Sequence, residues 1–261
     1  MNRLQVFNHP WVFLGVILSL AIAAHNMQGA ITFSDKNATG GGGSTSTNLV
    51  FTNNAAAPCA IVAYTATEDA VVADQSVTSV AAGSTNFNFR VQATNTSSDR
   101  VTMWTCTNTP TGVFTITYTF GGNCQVFAVG AASFSGVQLT DQPDSTNGMT
   151  LGSSTHPTIT NTTVNANCVI VDVINKITQT GTIDSADTGQ TILVNADISL
   201  FDIAASYEVV GAAGENVQGY TFSTGTASAY ACLALIPEPE VAAGVTNIFN
   251  THGLLLRGVG P

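Results

Sequence analysis

The sequence predicts an all-β chain folded as an antiparallel β-sandwich of jelly-roll, lectin-like type behind an N-terminal hydrophobic segment. Three observations predict it. Charged residues make up only 8% of the 261, and Gly, Ser, Thr and Asn take their place, a composition that favours strands and turns over helices. Apolar or alternating runs recur between polar turns, about ten of them, at the spacing of a sandwich. No stretch between residues 31 and 236 carries the periodicity of a crossover helix, which argues against a parallel α/β fold.

Residues 1–30 read as a signal peptide or an N-terminal anchor. Arg3 gives a weakly positive start, Trp11–Ala24 (WVFLGVILSLAIAA) is an apolar core of signal-peptide length, and Ala21 and Ala23 offer a small-x-small cleavage site. The apolar stretch is short for a membrane span, and an uncleaved anchor or assembly helix is the alternative.

Residues 31–236 read as the sandwich domain. Ile31–Phe33 opens it, and Gly40–Gly43 reads as a flexible loop. Because no Lys-Ser/Thr follows those glycines, they are not a phosphate-binding loop. Cys59–Thr65 is apolar on both faces. Phe87, Phe89 and Val91 alternate with Asn88 and Arg90, and Val101–Cys106 follows as a further strand. Val113–Phe120 is the cleanest alternation, with Phe114, Ile116, Tyr118 and Phe120 inward and Thr115, Thr117 and Thr119 outward. Gly121-Gly122 predicts a hairpin turn into Asn123–Val137 (NCQVFAVGAASFSGV), a central strand apolar on both faces and so covered on both. A loop holding Asp141, Pro143, Asp144 and Gly148 comes next. Cys168–Ile174, Thr191–Ile198, Tyr207–Val210, Tyr220–Ser223 and Ala229–Ile236 complete the strands, and 237–261 is a tail.

Net charge is −10, and Lys36, Arg90, Arg100 and Lys176 are the only cations between residues 31 and 250. No basic patch can form, so nucleic acid and anionic membrane surfaces are excluded as partners. The Lys-poor, neutral polar surface is that of a secreted or cell-surface protein. Five cysteines, Cys59, Cys106, Cys124, Cys168 and Cys232, contain no C-x-x-C pair. Four precede apolar runs (CAIVAY, CQVFAV, CVIVDV, CLALI). They are either small buried residues at strand entries or partners in one or two disulfides of an oxidising compartment.

The succession CAIVAYTATED, VTMWTC, TGVFTITYTF, AVGAASFSGV, CVIVDVINKI and YACLALIPEPE resembles secreted bacterial β-sandwich proteins that end in a PEP-CTERM sorting signal. Pro237, Glu238 and Pro239 match the element that opens such signals. The segment after them departs from the family: Asn247, Asn250 and His252 interrupt its apolar run and Arg257 is its lone cation. The resemblance implies processing by an exosortase-type enzyme and a place in the envelope or extracellular polymer matrix.

Few residues offer chemistry. There is no G-x-S-x-G elbow, and His156 is the one histidine of the domain, so no multi-histidine metal site can be built. Glu68, Asp69, Asp141 and Asp144 fall in loops and are the calcium candidates, Ca2+ being the one cofactor these residue types suggest; Asp184 and Asp187 form a further loop pair, and solvated turns are the plainer reading. Asp172 interrupts an apolar strand and needs a partner, for which Arg90, Arg100 and Lys176 are available. Trp104 is out of phase with Val101 and Met103, faces outward on this reading, and is the candidate glycan platform among aromatics that include Tyr64, Tyr207, Tyr220 and Tyr230. The expected function is therefore a non-catalytic structural or adhesive role in the envelope or matrix, with extracellular polysaccharide, other envelope components or further copies of the chain as partners. A carbohydrate-binding module, a jelly-roll glycoside hydrolase or lyase, and a filament or virion subunit are the alternatives.

Overall fold

A computed structural model describes residues 29–95, 99–107, 109–177, 182–198 and 201–239. The hydrophobic segment and cleavage site expected near the N-terminus, and the tail beyond Pro239, lie outside the described residues. The described chain is all strand and turn, as its composition predicts, but it holds seventeen strands where about ten apolar runs were legible. The first nine are β1 (Thr32–Gly41), β2 (Ser44–Asn53), β3 (Cys59–Glu68), β4 (Val77–Ala82), β5 (Thr85–Asn86), β6 (Asn88–Asn95), β7 (Asp99–Cys106), β8 (Gly112–Cys124) and β9 (Val126–Ser135). The remaining eight are β10 (Ser145–Ser154), β11 (Thr158–Thr163), β12 (Cys168–Ile177), β13 (Ile183–Ala186), β14 (Thr191–Ile198), β15 (Phe201–Val210), β16 (Gly214–Phe222) and β17 (Thr226–Leu235).

These strands form four sheets, ordered β2-β8-β4-β5, β1-β9-β3-β7-β6, β10-β17-β12-β15-β14 and β11-β16-β13. In residues 32–135 the pairing is nested: β1 with β9, β2 with β8, β3 with β7, β4 with β5, all antiparallel. This is the jelly roll, a long hairpin rolled so that successive strand pairs alternate between two sheets. Residues 145–235 repeat it, with β10 on β17, β11 on β16 and β12 on β15. The chain thus contains two jelly rolls in tandem, and Ala30–Glu238 make one compact unit.

Three cores separate the four sheets. The middle core is shared between the two jelly rolls: Val62, Tyr64, Met103, Ala128 and Phe134 of the first meet Val171, Val173, Ile203, Ala231 and Leu233 of the second. An outer core fills each roll, built around Ile61, Trp104, Ile116, Tyr118 and Phe127 in the first and Ile170, Ile174, Tyr220, Tyr230 and Cys232 in the second. The two inner sheets are therefore buried on both faces, and their strands must be apolar at successive positions. Nine of the ten residues of β9 are buried, as are nine of ten in β3. The outer sheets alternate, and β8 keeps the expected Ile116, Tyr118 and Phe120 inward.

Several expectations are corrected. Gly40 and Gly41 are not loop residues but complete β1, opposite Ala128 and Phe127. Gly121-Gly122 does not turn a hairpin: β8 runs on to Cys124, and β9 lies in the other sheet of the roll. The expected loop after Val137 ends at Ser145, where β10 begins and carries Gly148 within it. The alternation at Phe87–Val91 is broken by a register shift between Phe89 and Val91 that leaves Phe89 48% exposed. All five cysteines are buried and no disulfide joins them. Burial pushes the thiols of Cys124, Cys168 and Cys232 up to about 12, so they are inert packing residues rather than nucleophiles.

Candidate functional site

Trp104 lies in β7 on the face opposite Val101 and Met103, as its phase requires, but that face is covered by the outer sheet. It is 7% exposed. Its indole N–H donates to Thr102 Oγ1 at 3.1 Å, and Phe89 stands edge-on to it with ring centroids 5.2 Å apart. No sugar can stack on it, so the expected glycan platform is not formed. Tyr64, Tyr220 and Tyr230 are fully buried, and Tyr207 stacks on Phe33 at 5.1 Å between the two rolls.

The calcium candidates are separated and engaged elsewhere. Asp69 accepts the backbone N–H groups of Val71 and Gln125, each at 2.7 Å, and so ties the loop after β3 to the start of β9. Asp144 accepts the N–H groups of Val164 and Asn165 at 2.6 and 3.2 Å, fastening the loop before β12. Asp141 sits in a left-handed turn near Gln138. Glu68 is the register partner of Asp99 across β3 and β7. Burial, and then the Asp99 charge, push its carboxyl up to about 7. Lone pairs directed at N–H donors are not available to a cation, and among the described residues no group of three or more His, Cys, Asp or Glu side chains converges. Asp184 and Asp187 separate as well. Asp184 accepts the Thr182 hydroxyl, while Asp187 lies 2.8 Å from His156 Nε2 across two loops. The histidine therefore has a carboxylate partner that its isolation in the sequence did not announce.

Asp172 is the most heavily engaged side chain of the described residues. It is 1% exposed, in the outer core of the second roll. None of the three expected cations reaches it; five neutral donors do. Oδ1 accepts the Ser206 N–H at 3.0 Å, the Ser206 hydroxyl at 2.9 Å and the Tyr220 hydroxyl at 2.7 Å. Oδ2 accepts from Gln190 Nε2 at 2.8 Å and the Tyr230 hydroxyl at 3.2 Å. Burial pushes the carboxyl up to about 6, and the Tyr220, Ser206 and Tyr230 donors oppose that rise. Lys176 pairs instead with Asp202 at 3.1 Å, with its own side chain wholly buried. Asp172 and the Lys176–Asp202 pair are all buried.

Two concavities stand out among the described residues. A polar groove of about 480 Å3 runs beside the β6 edge, where Gln75, Gln92, Asn95, Arg100 and Thr150 line it. No carboxylate is among its described lining residues. The second is an apolar cavity of about 170 Å3 at the seam between the rolls, under β1 and β14.

No protein-family model matches the chain, and a search of curated proteins finds no relative.

Proposed function

We propose that this chain is a secreted or cell-surface structural protein, non-catalytic and adhesive, that works by lateral contact in an envelope or extracellular matrix. The observation that carries the reading is the outer face of the β2-β8-β4 sheet. Register places Asn48 beside Thr117, Val50 beside Thr115 and Thr52 beside Val113, with Ser79 beside Thr119 on the other flank. None of these side chains is charged, and Val50 and Val113 are 59% and 72% exposed. A pleated face of hydroxyl, amide and methyl groups, flanked by the edge strand β2, suits packing against a neutral polymer or another copy. Of the calcium candidates, Asp69 and Asp144 accept loop N–H groups, which supports the reading that they fasten loops. No helix among the described residues is long and apolar enough to cross a membrane.

Export and sorting belong to the same proposal. Pro237 is paired with Val137 and buried, and the Glu238 N–H donates to Gly136 O at 2.8 Å. The Pro-Glu-Pro element therefore begins as the last stitch of the sandwich. The test is the intact mass of the protein recovered from medium, envelope and cytoplasm of its native host. Loss of roughly the first 23–30 residues, as a signal peptide requires, in material from the medium or envelope is the expected result. A full-length chain confined to the cytoplasm overturns it. A Thr115→Lys/Thr117→Lys pair, which charges the outer face without touching a core, is expected to move the protein from the matrix fraction into the medium.

A further inference from the structure

The seam cavity has the attributes of a small-molecule site. Its walls are Ala38, Gly40 and Ala128 of the first roll and Val194, Ala196 and Ile198 of the second, with Tyr64 beside them. No charged side chain lines it. It opens at its rim, where Ala38, Thr39 and Gly40 are exposed. Gly40 keeps that rim clear, because a methyl group there would stand 2.8 Å from Ile198 Cδ1.

One polar atom breaks the apolar lining. Tyr64 is fully buried, and its hydroxyl has no hydrogen-bond partner among the described residues. Its direction follows from the sheet order. Tyr64 stands on β3 opposite Gly130 of β9, and Gly130 in turn stands opposite Ala38 of β1. A side-chain carbon on Gly130 would collide with the outer half of the Tyr64 ring. The ring therefore lies across Gly130 and carries its hydroxyl toward β1 and the cavity. Tyr118 approaches Gly130 from the other face of the same sheet, and its hydroxyl is satisfied by Gly130 O at 2.8 Å. Of two tyrosines meeting at one glycine, only the one at the cavity keeps a free donor. Leaving a buried donor unmade is costly, and a ligand that supplies an acceptor removes that cost.

We propose that this cavity binds a small neutral molecule, mostly hydrocarbon, whose single acceptor oxygen takes the Tyr64 hydroxyl hydrogen bond. An apolar cavity of about 150 Å3 accommodates benzene, so the volume here suits roughly six to eight non-hydrogen atoms, the size of a small ketone or aldehyde. The site does not depend on the adhesive reading of the outer face.

Cyclohexanone and its isostere methylenecyclohexane differ only in the acceptor. Titrated into the full chain, with methyl resonances of Ala128, Val194 and Ile198 as the readout, the ketone is expected to bind about tenfold more tightly, the value of one buried hydrogen bond. In Tyr64→Phe, which removes an atom with no partner and so should fold normally, the ketone should lose its preference and bind more weakly than the hydrocarbon, because its oxygen is then desolvated without a partner. Ala196→Leu, on the half-exposed strand β14, should abolish both. Equal affinity of the two probes for the unaltered chain, or a ketone preference that survives Tyr64→Phe, overturns the assignment. So does the absence of any shift with either probe up to its solubility.

Discussion

The two jelly rolls share a nested strand plan, and one of the positions at which they differ lies in the middle of it. β3 and β12 each begin with a cysteine, and each is flanked by the equivalent strands of its roll. Four residues after the cysteine, the first roll has Ala63 and the second has Asp172. Both point into the outer core of their own roll. Ala63 lies between Trp104 and Ala131, and Asp172 between Ser206 and Cys232. The first roll fills the space with an indole. The second fills it with a carboxylate and the hydroxyls of Ser206, Tyr220 and Tyr230. The same backbone thus supports a dry core and a hydrogen-bonded one, provided the surrounding side chains change together.

The most damaging way to break this comparison is to put the carboxylate in the wrong roll. Ala63→Asp would bury a charge among Trp104 and Tyr118, whose polar atoms are already committed to Thr102 and Gly130. The expected outcome is no soluble folded protein, since an unpaired buried charge costs several kcal/mol or more. Circular dichroism of the expressed variant checks it. Asp172→Ala is next. It strands the hydroxyls of Tyr220 and Tyr230 in a sealed core and should cost about 3–5 kcal/mol in urea unfolding. Adding Tyr220→Phe and Tyr230→Phe removes the stranded donors, and should restore a substantial part of that loss, because deleting both sides of a buried hydrogen bond is nearly neutral. A triple variant less stable than Asp172→Ala alone would show that the tyrosines pack for some other purpose.

A smaller effect sharpens the contrast through pH. Asp172 and Glu68 both have carboxyls raised in the folded state, to about 6 and about 7, mainly by burial. The folded chain then holds more protons than the unfolded one across this range. Their contribution to stability is complete below their ordinary values and is lost as pH rises through about 6 and 7. Melting temperature should fall between about pH 4.5 and 7, and Glu68→Gln should flatten the upper half of that fall. A melting temperature that climbs through this range would contradict the burial of both groups. The smallest expected effect is that of reductant. With five buried cysteines and no disulfide among them, dithiothreitol should leave the melting temperature unchanged, and a drop of several degrees would reveal a disulfide.

Much of the layer structure is legible in the sequence. β9 is apolar at consecutive positions, CAIVAY and CVIVDV likewise, and such strands have no polar face to give to water. Alternation in Val113–Phe120 marked an outer sheet by the same logic. No strand is expected from the sequence at β2, β4, β5, β10, β11 or β13, and of these β10 (STNGMTLGSS) and β11 (TITNTT) carry too few apolar side chains to signal a face. β10 is an edge strand held by backbone pairing to β17, and backbone hydrogen bonds leave no mark on composition. The His156–Asp187 contact was invisible for a related reason, since 31 residues separate the two and only the loops bring them together.

The sequence by itself determined that the chain is antiparallel β, that its middle strands are covered on both faces, and that no basic surface exists. Those properties follow from side-chain periodicity and charge, which are local. Only the tertiary structure decided that there are two jelly rolls and that Trp104 is core rather than platform. It also decided that Asp172 is held by hydroxyls rather than cations. Phase assigns a side chain to a face, but what lies over that face is set by which sheets stack, and stacking joins residues far apart in the chain.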